Sequence, residues 1–497
     1  MKKTLALLGL ALLPLAVWAQ SDAENDFFGE DAVTVTTPPV NNVDPTTQFS
    51  ESAAGLRWGG TVTSSATWNG GWVAAWPDAS APVNNWKDGL NYGLSTKLFL
   101  DGRPDKDFRF RLSLKTGYPF TTDTKALTSA KYVTTPSIGV TTSSSTISVP
   151  NLKVWEMFTD VTVNDALFLR FGKQSASWGT SYFYSPGDVI SLTAKDASDP
   201  TAEREGPVAM KATVPFPGLK ANLTGFVLAR DSYFGSDLPS LQTLGYALQA
   251  DVLVGDAQVS LGGFYQRDNA PKAVATLNTG FGFLHIPGLS DVNLFSEAVF
   301  SYGADVLKTS GTTGGANPQF TSISSWDKTL YYTGTVGASY SNSDANLTLR
   351  AEYLYNPFGS SDKTVAQTAY NTFVAASMNA YTGTNTAGRA YGYGDAATPG
   401  VHYLTALASL AKFGGSDKLS FSTLWQQNFS DLSGWVKPSF TFQPWDQLGF
   451  TWGVSVVYGD DGTQYPLTFQ YRDAKGVPLG AQRVTFNVGV TFGSGKY

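Results

Sequence analysis

Residues 448–458 read Leu-Gly-Phe-Thr-Trp-Gly-Val-Ser-Val-Val-Tyr, with Leu448, Phe450, Trp452, Val454, Val456 and Tyr458 separated by Gly449, Thr451, Gly453 and Ser455. In an extended chain alternate side chains point to opposite faces, so this period of two makes a strand with one apolar face and one small or polar face. The same pattern recurs along the chain. Leu90, Tyr92, Leu94, Leu98 and Leu100 alternate with Asn91, Gly93, Ser95, Lys97 and Asp101, and Phe108, Phe110, Leu112 and Leu114 alternate with Arg109, Arg111, Ser113 and Lys115.

The spacing between such strands alternates as well. Tight turns fall near 102–106, 164–166, 216–218, 255–256, 287–290, 342–344, 413–416 and 444–446. Between them lie mostly longer connections at 69–85, 118–150, 178–205, 231–241, 268–271, 303–327, 357–399, 429–432 and 460–480. Short turns at one end and long loops at the other, with an even strand count, predict an all-β, transmembrane, antiparallel up-and-down β-barrel. Eighteen strands are expected, or sixteen if the segments carrying Pro207 and Pro438 fail, since proline has no backbone donor. Closure has a physical cause: lipid offers no partner for a sheet edge, so every edge must pair within the sheet. A soluble propeller would alternate too, but no repeat of about 40 to 50 residues is visible. Trp68, Trp86, Tyr118, Tyr302, Trp425 and Tyr458 near strand ends fit interfacial girdles.

Composition narrows the chemistry. The 497 residues include no Cys and two His, which excludes disulfides, thiol nucleophiles and most imidazole-based metal sites, and no cofactor is expected. With 13% aromatic residues the chain should fold. Lys2 and Lys3 precede an apolar run from Leu5 to Val17 ending in Val17-Trp18-Ala19, the pattern of a cleaved secretory signal over residues 1–19. Residues 20–52 hold seven acids and no base and read as a disordered tail, leaving 33 acids against 32 bases in the barrel of residues 53–497. Such a balance argues against a nucleic-acid partner and predicts weak ion selectivity.

A barrel of this size leaves a water-filled interior. The strand phase points Arg57, Lys97, Arg109, Arg111, Lys115, Glu156, Asp160, Arg170, Gln174, Asp251, Glu297, Arg350 and Glu352 into it. Closing the turn 164–166 on Val163 and Leu167 places Asp160 opposite Arg170 and Glu156 opposite Gln174. Lys173 falls on the lipid-facing phase unless Gly172 marks a bulge.

The third long connection is the most distinctive: Gly172-Lys173-Gln174, Ser177-Trp178-Gly179, Pro186-Gly187-Asp188, Asp199-Pro200 and Arg204-Glu205-Gly206. These residues resemble a run in porin-like outer-membrane barrels whose pattern is Gly-Arg-Gln, Trp-Gly, Pro-x-Asp, Asp-Pro and Arg-Glu-Gly. The match covers about 35 residues, with Lys173 in place of the usual Arg. In general porins the third loop folds inward and narrows the channel. By that resemblance Trp178, Asp188, Lys195, Asp196, Asp199, Glu203, Arg204 and Glu205 are constriction candidates, or else Trp178, Arg204 and Glu205 pin the loop to the wall. The last strand, Val484 to Phe492, resembles the assembly signal of outer-membrane barrels, although five residues follow it. The resemblance implies the bacterial outer membrane, its lipid, the barrel-assembly machinery and small hydrophilic solutes as partners, with a homo-trimer common among general porins.

Three functions stand against one another. A passive pore needs only a polar lumen and a narrowing. An outer-membrane hydrolase would need His285 or His402, and the first abuts a short turn while the second shares the lipid-facing phase of Leu404, Ala406 and Ala408. No enzyme is expected. An adhesin or structural barrel would display the loops 118–150 and 357–399, rich in Thr, Ser, Ala and Gly.

Overall fold

In the computed structural model, residues 55–73, 86–118, 123–133, 139–149, 152–192, 194–229, 244–267, 269–281, 291–303, 307–310, 319–322, 329–361, 381–384, 390–391, 400–460, 463–472 and 478–493 are described. The signal, the acidic tail, His285 and most of the connection 357–399 lie outside them.

Eighteen strands pair in chain order. They are β1 Leu56–Val73, β2 Trp86–Asp105, β3 Phe108–Gly117, β4 Lys153–Val163, β5 Leu167–Lys173, β6 Val208–Phe216, β7 Ala221–Ala229, β8 Gly245–Val254 and β9 Ala257–Gln266. They continue as β10 Lys272–Gly280, β11 Val292–Tyr302, β12 Leu330–Asn342, β13 Leu347–Tyr355, β14 His402–Leu410, β15 Leu419–Asn428, β16 Ser433–Trp445, β17 Leu448–Tyr458 and β18 Pro478–Phe492. Every neighbouring pair is antiparallel, and β18 returns to β1 from Ser64↔Phe492 to Trp72↔Val484, so the sheet closes into a barrel. Inside the seam Asn487 Nδ2 donates to Asn69 Oδ1 at 2.6 Å. Gly71 is required there, because a Cβ would strike the Val484 carbonyl and Thr485 of the facing strand.

Both proline-bearing segments form strands. Pro207 lies just before β6, and Pro438 sits within β16, where pairing to β17 skips from Val436 to Ser439 because proline has no N–H to give. The long connections contain strands that the alternation did not announce. Asp123–Val133 and Gly139–Val149 form a hairpin, Tyr381–Thr384 adds in parallel to the first of them, and Ala390–Tyr391 pairs with that third strand.

The outward phase is apolar over most of the wall. Leu90, Tyr92 and Leu98 are exposed on β2, while Lys97 and Asp101 share the opposite face through their pairing with Thr61 and Arg57. At the long-loop end Trp68, Trp72, Trp86 and Phe486 form an aromatic cluster across β1, β2 and β18, and Trp425 Nε1 donates to the Tyr458 hydroxyl at 2.7 Å. The inner face departs from the simple rule on β6 to β11. Ala209, Phe226, Leu228, Ala247, Phe264, Val274 and Val299 lie on the inward phase and are buried. Their cover is Trp178, Val189 and Ile190 from the connection between β5 and β6. Ile190 is fully buried there, which is worth roughly 1.5 to 3 kcal/mol.

Candidate functional site

The connection from Gln174 to Pro207 runs inside the barrel, and two wall carboxylates hold it. Glu297 of β11 accepts the backbone N–H of Ser181 at 2.6 Å and of Gly187 at 2.5 Å, together with the Ser185 hydroxyl at 3.2 Å. Glu352 of β13 accepts three consecutive backbone N–H groups, from Tyr182, Phe183 and Tyr184, at 2.8, 2.7 and 3.0 Å. Both carboxylates are completely buried. An irregular backbone inside a protein leaves its N–H groups without secondary-structure partners, and a carboxyl group, with two acceptor oxygens, can take several of them at once. Further along the wall the Tyr184 hydroxyl meets Thr405 of β14 at 2.6 Å, and Ser181 Oγ meets Thr335 of β12 at 2.5 Å. Glu297 and Glu352 therefore point inward but do not line water, contrary to the expectation from phase alone.

The motif residues are the fastenings of this arch. A Cβ at Gly179 or Gly187 would sit 2.7 or 2.8 Å from the Glu297 carboxylate, so the Trp-Gly and Pro-Gly steps let the backbone wrap that side chain. Asp188 accepts the Trp178 N–H at 3.2 Å and pairs with Arg204 at 2.5 Å. Gln174 is buried, its amide donating to the Ala209 carbonyl at 3.0 Å, and Gly206 packs so tightly against the Gln174 backbone that no side chain fits. Gln174 thus does not face Glu156. Glu156 meets Arg111 at 3.2 Å, because β5 ends at Lys173 and the chain leaves the wall. Lys173 remains on the phase of the exposed Met157, and its ammonium is neutralised by Glu205. Gly172 does adopt a positive φ of 131°, but the carboxylate partner is what makes the position tolerable. Trp178, Asp188, Arg204 and Glu205 are accordingly taken up in holding the loop. Asp196, Asp199 and Glu203 stay exposed, and Lys195 is half-buried with its ammonium 2.8 Å from the Ser181 carbonyl.

The opposing wall carries the charge. Arg170 forks onto Asp160 at 2.6 and 3.0 Å, Arg109 onto Asp101 at 3.1 and 2.7 Å, and Arg109 also lies 3.8 Å from Asp160. Phe158 faces the same way between them, its ring 4.2 Å from the Arg170 guanidinium and 6.0 Å from that of Arg109. From the returning limb of the loop, Glu203 reaches Lys97 at 2.5 Å and Lys115 at 3.5 Å, tying the arch to β2 and β3. Arg57 and Arg350 point inward with no carboxylate within ion-pair distance among the described residues, and Asp251 accepts from the Gln249 amide at 2.7 Å. On β14 to β18 the described inward charges are Lys437 and Arg483, the latter donating to the Gly459 carbonyl at 2.5 Å.

Partial burial pushes the Glu203 carboxyl up, but its hydrogen bond to Lys97 and the charges of Lys97 and Lys115 outweigh this and hold it below the usual carboxylate range. A depressed carboxyl contributes stability that is present above its unfolded value and lost as pH falls through its folded value. The Glu203 tether should therefore survive down to the normal carboxylate range and release only below it. Current noise in single-barrel recordings should rise below about pH 4 in the natural chain, and Glu203→Gln should show the same noise at neutral pH; a quiet variant would refute the tether.

A second fastening had no sequence signal. The short helix Gln464–Thr468 in the last long connection turns into the mouth, where Gln464 Oε1 accepts from the Tyr403 hydroxyl and the Asn428 amide, both at 2.9 Å. Tyr465 packs with Trp435 and Val457. Its partners come from four separate strands, so no local pattern could have assembled them. His402 lies on the outward phase, 2.6 Å from the Tyr353 hydroxyl, on the face opposite the lumen carboxylates.

No family model matches the chain, and no curated protein matches it. Among solved structures it is similar to OccAB3 of Acinetobacter baumannii, at 11% identity and a TM-score of 0.42 over 88% of this chain and 99% of that one. OpdQ of Pseudomonas aeruginosa gives 8% and 0.43 over 88% and 98%, and OmpF of Salmonella typhi 9% and 0.38 over 88% and 97%. Likeness at this level is too slight to bear on substrate.

Proposed function

We propose that the chain is a bacterial outer-membrane channel for the passive diffusion of small hydrophilic solutes, narrowed by the inward arch 174–207, and that it favours anions. The observation that carries this reading is the arch itself, held across the interior between Glu203 at β2 and β3 and Glu352 at β13. An aqueous bore narrowed by a fixed loop is a filter and needs no chemistry. The apolar outward phase and the seam from β18 to β1 support a membrane setting, because a closed sheet leaves no edge in lipid. Insertion by the assembly machinery and trimer formation are part of the same proposal.

The near-balance of the whole chain does not carry into the bore. The inward phase of β1 to β6 bears Arg57, Lys87, Lys97, Arg109, Arg111, Lys115, Lys153, Arg170 and Lys211 against Asp101, Glu156 and Asp160. Glu297 and Glu352, which would have reduced the excess, are sealed under the loop, and the exposed Asp196, Asp199 and Glu203 of the arch offset only part of it. Purified protein in planar bilayers should give stable open channels, with a reversal potential in a salt gradient displaced toward that of the anion. A non-conducting barrel would refute the pore, and a cation-selective one would refute the charge argument. Display of surface loops is a second reading, favoured by the four-stranded sheet built from two separate connections; deletion of 123–149 should abolish any cell adhesion and leave conductance in place.

A further inference from the structure

The barrel leaves no strand edge open, because β18 returns to β1. The four-stranded sheet carried by the connections 118–150 and 357–399 does. Its order runs Ala390–Tyr391, Tyr381–Thr384, Asp123–Val133, Gly139–Val149, so the first and last of these stand at its edges. The first is two residues long, too short to template a neighbour. The last has eleven residues in unbroken register with Asp123–Val133, and among the described residues no strand pairs with its second side. An open row of N–H and C=O groups invites another strand, and natural edges are guarded by lysine, proline, a bulge or shortness. Gly139–Val149 has none of the four. Its sequence, Gly-Val-Thr-Thr-Ser-Ser-Ser-Thr-Ile-Ser-Val, carries no charge and no proline, whereas Asp123–Val133 holds Asp123, Lys125 and Lys131. Charge thus sits on the inner strand and neutral, largely hydroxyl and β-branched residues on the open one, the reverse of a guarded edge.

The same sequence says what fits there. Two copies of one strand related by a two-fold axis pair antiparallel, and the axis turns each alternation phase onto itself, so residues of one phase come opposite each other. Full overlap of 139–149 then centres on Ser144. It sets Ser143 opposite Ser145, Thr142 opposite Thr146 and Thr141 opposite Ile147 of the second copy. Hydroxyl and β-branched residues meet their like, which favours pairing, and no charge meets a like charge. A ladder of this length makes about ten backbone hydrogen bonds, the number carried by a standard protein interface.

We propose that Gly139–Val149 is a homotypic docking edge that joins two copies of this chain outside the bilayer by continuing their sheets into one. The proposal rests on the loop-display reading above and names the partner of that display as the protein itself.

The natural chain has no cysteine, so a single introduced thiol reads the edge without background. In detergent, where barrels meet in any orientation, Ser144→Cys treated with a short bis-maleimide should give a cross-linked dimer as the main product. Thr128→Cys, opposite Ser144 on the inner strand, lies three strand spacings from its equivalent, about 14 Å, and should give about tenfold less. Adding Thr142→Lys and Thr146→Lys sets lysine opposite lysine at two places and should cut the Ser144→Cys yield about tenfold, as should glutamate at both positions. Mixing the lysine and glutamate proteins should restore the yield, and every barrel should still migrate as folded on unheated gels, since the substitutions lie outside it. Equal yields from Ser144→Cys and Thr128→Cys would mean chance collision, and a mixture no better than its parts would mean that the strands do not pair in this register; either result overturns the proposal. Labelling of intact cells with an impermeant maleimide separates the two readings. Ser144→Cys that is labelled on cells but not cross-linked in detergent keeps the display and overturns the docking edge; cross-linking without labelling sustains the edge and refutes the display.

Discussion

Replacing Glu352 by Ala should free the tip of the arch and raise single-channel conductance severalfold. The side chain is the shared acceptor of the Tyr182, Phe183 and Tyr184 N–H groups, and all of it is buried. Each buried donor left unsatisfied costs about 1 to 3 kcal/mol, so three of them cost several kcal/mol in all, more than the Tyr184–Thr405 hydrogen bond beside them can offset. The tip then prefers water. The other end of the arch should stay in place, because Trp178, Val189 and Ile190 remain in their apolar seat and Glu297 still holds Ser181 and Gly187. Glu352→Gln should fall between the two, since an amide offers one acceptor oxygen and sets an NH2 group against N–H donors. Conductance reads the release, and chymotrypsin reads it independently: Phe183, fully buried in the natural chain, becomes cleavable. The barrel itself should remain folded on unheated gels. Unchanged conductance with Phe183 still protected would mean that the carboxylate is not what holds the tip.

How much of this could be read from the sequence divides along a physical line. Strand phase is local, so the facing of Lys97, Arg109 and Asp160 and the Asp160–Arg170 register followed from alternation and one tight turn. What lies above an inward residue is not local. Glu297 and Gly187 are 110 positions apart, and only the folded loop turns an apparent lumen carboxylate into a buried anchor. The apolar inner faces of β7 and β9 could have been suspected, because Phe226, Leu228 and Phe264 share the phase of polar neighbours, but their partner, Trp178, stands in a loop with no periodicity. The motif residues were visible as a group. Their common role around Glu297 was not, because glycine spacing records a close approach without naming what approaches.

The second large effect concerns the wall. Val488 and Asn487 are adjacent in β18, yet Lys should be tolerated at one and not at the other. Val488 is exposed on the outward phase between Trp68 of β1 and Trp452 of β17, four residues in from the short-turn ends of β17 and β18 and below the rest of the aromatic cluster at the long-loop end. Asn487 points inward, bonded to Asn69 across the seam and 3.4 Å from Ser455 Oγ. A lysine at mid-depth in lipid costs about 2 to 4 kcal/mol, whereas the inward position meets water and gives up only the neutral Asn69 hydrogen bond, about 1 kcal/mol. Val488→Lys should therefore lower the urea midpoint of the folded barrel in lipid vesicles and cut the fraction that inserts. Asn487→Lys should insert normally and, by adding a cation beside the bore, move the reversal potential further toward the anion. The contrast isolates facing from strand stability, because the two residues share one strand, both neighbours and nearly the same depth. Equal losses from both substitutions would show that the seam is sensitive to any bulk and that lipid is not the solvent on the outer face. A loss at Asn487 alone would invert the barrel and remove the lumen on which the arch and its charges depend.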